Sequence, residues 1–169
     1  MTYSKLKSMG ILLMGLVVPE WFKVICDGCS IPKGFRWLGR ARHSIAICRI
    51  HDFWYYIIPF CLPPDSEFRE MYKMTADFEF KLNRRKISRY KLIGRMYAVA
   101  YFWGVRIGGN QALNKSVDML VVMGPRTHED LDELIEISER VIPHYDPVWR
   151  DEIVFFIRKR INTKEEWKA

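Results

Sequence analysis

Long apolar runs are missing from this chain. The longest, Ile11 to Val18, is eight residues, against the ~18 that a helix needs to span a bilayer. Lys5 and Lys7 ahead of it give a faint secretory-signal pattern. No small-x-small cleavage site follows and Pro19 closes the run, so it reads as a buried strand. Cysteine is scarce: Cys26, Cys29, Cys48 and Cys61 are the full set. A zinc ribbon needs two C-x-x-C knuckles, and Cys26-Asp27-Gly28-Cys29 has no second one. A redox C-x-x-C opens a helix within a βαβ pattern, whereas Asp27-Gly28 followed by Pro32 reads as a turn. The sequence also lacks an internal repeat, a low-complexity tract and a recognised nucleic-acid motif.

What is present is core-forming material and positive charge. Of 169 residues, 49% are hydrophobic and 14% aromatic, with six Trp. That suits one folded domain, at most with an appendage, and excludes a disordered chain. The formal net charge of +7 attracts polyanions, either nucleic acid or an anionic membrane surface. Its distribution is uneven. Residues 1–115 carry 19 Lys and Arg against 8 Asp and Glu, and residues 116–169 carry 8 against 12. The change of sign near Asn114 predicts a basic domain over 1–114 and an acidic helical extension over 115–169. The extension is expected to dock on the basic body or bind a basic partner.

Local patterning predicts a mainly α fold with a short β-region in front. Residues 11–26 read as one or two short strands broken at Pro19-Glu20, and Asp27 to Pro32 as a loop. Residues 41–58 hold neither Gly nor Pro and read as a helix, ended by Pro59 and Pro63-Pro64. Residues 66–82 form a second helix, with Phe68, Met71, Met74 or Thr75, Phe78 and Leu82 on its apolar side. Residues 87–103 form a third, with Gly104 as its stop. In the extension, Thr127 and Asp130 have capping-box spacing for a helix running to about Val141. Pro143 ends it, and a last amphipathic helix spans roughly 147–161.

The chemistry concentrates in a few residues. Ile45, Cys48, His51, Asp52 and Tyr55 share one face of the first helix. That helix is apolar elsewhere, and burying His51 beside Asp52 is costly unless each has a partner. A metal would partner Asp52, and a carboxylate would partner His51. Asp77, within Ala76-Asp77-Phe78-Glu79-Phe80, is the candidate carboxylate. A hard cation such as Ca2+ takes oxygen ligands. Asp27 and Asp52 offer carboxylates and the Gly28 region its carbonyls, with Ser30 and Tyr55 in support. A neutral His51 then accepts a proton from water, and Asp77 orients the imidazole and stabilises the imidazolium. The cation and a loop N–H stabilise an oxyanion. Together these are the equipment for ester hydrolysis by an activated water. The plainer reading is a buried His51–Asp77 hydrogen bond, an Asp27-Gly28 turn and cysteines acting as small buried hydrophobes.

Over residues 26–104 the chain resembles the prokaryotic and fungal branch of the secreted phospholipases A2. The resemblance rests on Asp27-Gly28-Cys29, on Cys48-Arg49-Ile50-His51-Asp52-Phe53-Trp54-Tyr55, on Asp77-Phe78-Glu79-Phe80, and on Tyr97-Ala98-Val99 leading to Trp103-Gly104. It implies a phospholipase A2-like helix pair, a Cys29–Cys48 disulfide, Asp27 and Asp52 as calcium ligands, His51 as general base and Asp77 as its orienting partner. A second resemblance is to a phage-associated domain of unknown function. It rests on Val18-Pro19-Glu20-Trp21-Phe22, Asp27 to Pro32, His51 to Tyr55 and Ala76 to Phe80. It implies a phage or bacterial source and virion or other phage proteins as partners.

One motif lies outside that site. Lys81 to Lys91 holds six positive residues, Arg84, Arg85 and Lys86 among them. It reads as a solvated helix face, or as a contact for lipid headgroups or nucleic acid phosphates. Trp21, Trp37, Trp54 and Trp103 are interfacial anchors or core, at least two of them core. Because the positive charge sits on the half that carries the His-Asp pair, a membrane surface is favoured over nucleic acid. The leading expectation is a calcium-dependent, phospholipase A2-like ester hydrolase. The alternatives are a non-catalytic phage structural or accessory protein that keeps the scaffold, and a nucleic-acid-binding accessory protein.

Overall fold

The computed structural model describes residues 18–26, 42–87 and 91–166. They are mainly α. Among them are six helices: α1 Glu20–Ile25, α2 Arg42–Cys61, α3 Glu67–Ile87, α4 Lys91–Met123, α5 His128–Val141 and α6 Pro147–Glu166. Helices α2, α3 and α4 pack on one another, and α6 lies across α2 and α4. Among the described residues no helix is long and apolar enough to cross a membrane.

The expected strand after Pro19 is helical. Trp21 and Phe22 are both buried, and the i to i−4 bonds of a helix are in place, with Lys23 N–H donating to the Pro19 carbonyl at 3.3 Å and Cys26 N–H to the Phe22 carbonyl at 2.9 Å. Phe22 packs on Phe53 and Tyr56, with ring centroids 4.8 and 5.0 Å apart. The rest of the expected β-region, residues 11–17, lies outside the described residues, as does the loop from Asp27 to Pro32.

Two expected helix ends are also corrected. Helix α2 runs through Pro59 to Cys61. A proline inside a helix costs about 3 kcal/mol, but Ile57, Ile58, Phe60 and Cys61 are all fully buried. At roughly 1.5–3 kcal/mol for each large apolar side chain, keeping the turn wins. The ladder resumes with Leu62 N–H donating to the Ile58 carbonyl at 3.0 Å. Helix α4 runs through Gly104 to Met123. The stop comes at Gly124, whose N–H donates to the Leu120 carbonyl at 2.9 Å.

Helix α5 starts as expected. Asp130 N–H donates to Thr127 Oγ1, and Thr127 N–H donates to the Asp130 carboxylate, both at 3.1 Å. Leu131, Leu134, Ile137 and Ser138 form its buried face. Helix α6 is capped by Asp146, whose carboxylate accepts from Trp149 N–H at 3.0 Å, with Pro147 at the first helical position.

The expected domain boundary at 114/115 falls inside α4. One apolar core runs from Trp21 and Phe53 through Leu113 and Leu120 to Leu134, Ile157 and Ile161. The surface that joins the extension to the body is apolar, and hydrogen bonds stitch it. Asp146 N–H donates to the Cys61 carbonyl at 2.8 Å. Trp149 Nε1 donates to the Pro59 carbonyl, also at 2.8 Å. Tyr72 Oη and His144 Nδ1 are 2.8 Å apart.

Candidate functional site

Helices α2 and α3 bring the expected pair together. His51 Nε2 lies 2.9 Å from Asp77 Oδ1, and both side chains are buried. A carboxylate oxygen only accepts, so Nε2 carries a proton and donates it. In the neutral ring Nδ1 is then the basic nitrogen. Tyr55, one helical turn on, donates its hydroxyl to the same Asp77 oxygen at 2.8 Å. Rings close the pocket around the imidazole: its centroid is 4.5 Å from that of Tyr55 and 4.7 Å from that of Phe80.

Asp52 sits on the other side of the imidazole. Its Oδ1 is 3.7 Å from His51 Nδ1, and its side chain is 35% exposed. Oδ2 accepts from the Cys26 thiol at 3.2 Å. Burial pulls the His51 pKa down, but hydrogen bonds and charge from Asp52 and Asp77 outweigh it, and the net shift is upward. Burial and then the Asp77 charge push the Tyr55 phenol well above its ordinary range, so it stays a donor.

Three participants come from outside the sequence motif. Lys73, buried four residues before Asp77 on α3, holds its ammonium 3.5 Å from Asp77 Oδ2 and 3.5 Å from the Arg106 carbonyl. Arg106, from α4, places a guanidinium nitrogen 3.5 Å from the same Oδ2 and bonds Glu70 with another. Gly109, one turn further along α4, makes this crossing possible. A Cβ there would stand 2.3 Å from the Tyr55 hydroxyl and 2.8 Å from Lys73 Cε. Lys73 had a signal in the sequence, since it shares a buried helix face with Asp77 at i, i+4. Arg106 and Gly109 had none, because their part depends on how α4 crosses α2 and α3.

The remaining expected residues are placed unevenly. Asp27, Gly28, Cys29 and Ser30 lie outside the described residues. Cys48 is disulfide-bonded, the buried Cys26 thiol donates to Asp52, and Cys61 is a buried free thiol. Arg85 is exposed on α3; Arg84 and Lys86 flank it in the same helix, their side chains outside the description. Trp21 and Trp54 are core, and Trp103 is 60% exposed. Among the described residues no group of three or more His, Cys, Asp and Glu is disposed to hold a metal. Among the described residues Asp52 presents a partly exposed carboxylate next to the imidazole. A groove of about 620 Å³ elsewhere, lined by Pro63, Ser66, Phe68, His144 and Val148 among others, shares no residue with the His51 cluster.

The chain matches no family model, no curated protein and no solved structure.

Proposed function

We propose that the protein is a calcium-dependent hydrolase of phospholipid esters, phospholipase A2-like in its use of a His-Asp pair to activate water. The observation that carries this reading is the His51–Asp77 bond, 2.9 Å long and buried. It fixes the proton on Nε2 and leaves Nδ1 as base.

Each residue has a role. His51 Nδ1 takes a proton from water as the water oxygen attacks the acyl carbonyl, and returns it to the leaving alcohol oxygen. Asp77 holds the ring and stabilises the imidazolium, and Tyr55 holds Asp77. Asp52 suits a hard cation because its oxygens are partly exposed and negatively charged. Asp27 follows Cys26 in sequence, and the Cys26 thiol already reaches Asp52 at 3.2 Å, which supports Asp27 and Gly28 as the further ligands. Ca2+ held there supplies stabilisation of the developing oxyanion.

A second reading rests on Lys73 and Arg106. With two cations on Oδ2, Asp77 is compensated in the way a purely structural buried cluster requires. The protein is then a non-catalytic phage structural or accessory protein. Fatty-acid release from phospholipid vesicles separates the two. Hydrolysis predicts Ca2+-dependent release that His51→Gln and Asp52→Asn each lower by at least about 100-fold, with helical content unchanged. Tb3+ binding that falls in Asp52→Asn reads the cation site apart from turnover. No release from any phospholipid in Ca2+ leaves the structural reading.

A further inference from the structure

The basic run has a spatial partner. Phe78 of α3 and Phe102 of α4 meet edge to face with centroids 5.5 Å apart, and Lys81 Nζ sits 4.7 Å over the Phe102 ring. Helices α3 and α4 are therefore an antiparallel hairpin, and the end of α3 adjoins the start of α4. In sequence, residues 81–95 carry seven Lys and Arg and no Asp or Glu. Just beyond them along α4, Met96, Val99 and Trp103 are 66%, 43% and 60% exposed. Their i, i+3, i+7 spacing puts them on one side of the helix. Large apolar side chains in a row on a helix surface mark a contact face.

We infer that this hairpin end docks on an anionic phospholipid bilayer, with Met96, Val99 and Trp103 entering the headgroup boundary and the basic sequence of residues 81–95 supplying the charge that attracts the lipid phosphates. Charge complementarity selects the occupant: cations alone suit any polyanion, but the apolar row suits the acyl boundary of a bilayer and gains little on a duplex backbone. Trp at the interface and Lys or Arg at the phosphate level are the pairing such a surface favours. The inference deepens the lipid reading by naming the surface on which the protein meets its substrate. Arg106 lies one turn beyond Trp103 and reaches Asp77, so the docking row leads toward the His51 cluster.

The test uses the full chain and vesicles of ether-linked lipids, phosphatidylglycerol with phosphatidylcholine, in EDTA. These lipids carry no acyl ester, so binding is read whether or not the protein hydrolyses acyl esters. Co-sedimentation is expected with anionic vesicles, weakening with salt, and not with pure phosphatidylcholine. Replacing Arg84, Arg85 and Lys86 together by Ala should weaken it roughly 100-fold, at about fivefold per charge. Trp103→Ala should weaken it about tenfold; Trp103 is exposed, so the fold is retained. No sedimentation with anionic vesicles overturns the inference, and so does binding that Trp103→Ala leaves unchanged. Binding to a DNA duplex without binding to anionic vesicles also overturns it and makes the run a nucleic-acid surface.

Discussion

Replacing Asp77 by Asn tests the buried cluster directly, because the swap keeps shape and removes charge. Asp77 is 0% exposed, and its two oxygens serve opposite sides: Oδ1 accepts from His51 and Tyr55, and Oδ2 faces Lys73 and Arg106. An amide has one oxygen. Turned toward His51 and Tyr55, it aims its NH2 group at two cations, donor against donor. The Lys73 side chain is 2% exposed, so its ammonium loses its counter-charge with little access to water. Breaking a buried pair in this way costs about 3–5 kcal/mol. Arg106 is a quarter exposed and is left out of that figure, since solvent screens it. With a urea slope of about 2 kcal/mol per molar, the unfolding midpoint should fall by roughly 1.5–2.5 M, read by circular dichroism. Adding Lys73→Met to Asp77→Asn removes the stranded ammonium and should recover at least half of the loss. A midpoint shift below about 0.5 M for Asp77→Asn, or no recovery in the double variant, would refute the charge network described here.

Other consequences are open to measurement. Gly109→Ala puts a methyl 2.3 Å from the Tyr55 hydroxyl and should cost about 1–3 kcal/mol in thermal unfolding. Tyr55→Phe in the same chain should relieve part of that loss, so additive losses would count against the contact. Thr127→Ala removes the side-chain half of the α5 capping box and should cost about 0.5–2 kcal/mol by urea titration; no change would deny the cap a role. Burial pushes the Cys61 thiol up from 9.0 to about 12. It should therefore resist maleimide at neutral pH until the protein unfolds. Its sign follows from linkage. The unfolded thiol ionises first, so the Cys61 contribution is whole below pH 9.0 and fades as pH rises toward about 12. Cys61→Ala should flatten the alkaline fall in the urea midpoint, and an unchanged fall would contradict the assignment.

The sequence made the α elements legible wherever local signals agreed with packing. The Thr127–Asp130 spacing marked α5 because a capping box is a local device. Pro59 and Gly104 misled for the opposite reason. Each is a local breaker, and each lies in a helix whose burial or crossing is settled by distant residues. Trp21-Phe22 misled in the same way, since the choice between strand and turn depended on both rings finding Phe53. Within the site, His51 and Asp77 could be paired from sequence because an isolated buried His needs a carboxylate. Of the counter-cations, Lys73 was signalled only by its i, i+4 spacing to Asp77, and Arg106 was hidden because it arrives from a helix expected to end before it.

The central claim is that water, activated at His51, cleaves an acyl ester. It is tested most directly by mass spectrometry of phospholipid vesicles incubated with the protein and Ca2+ in 18O-labelled water. The account predicts lysophospholipid and a free fatty acid carrying 18O in its new carboxylate oxygen, with neither product formed by His51→Gln. Intact lipid after prolonged incubation with the wild-type protein, or equal hydrolysis by His51→Gln, would contradict it.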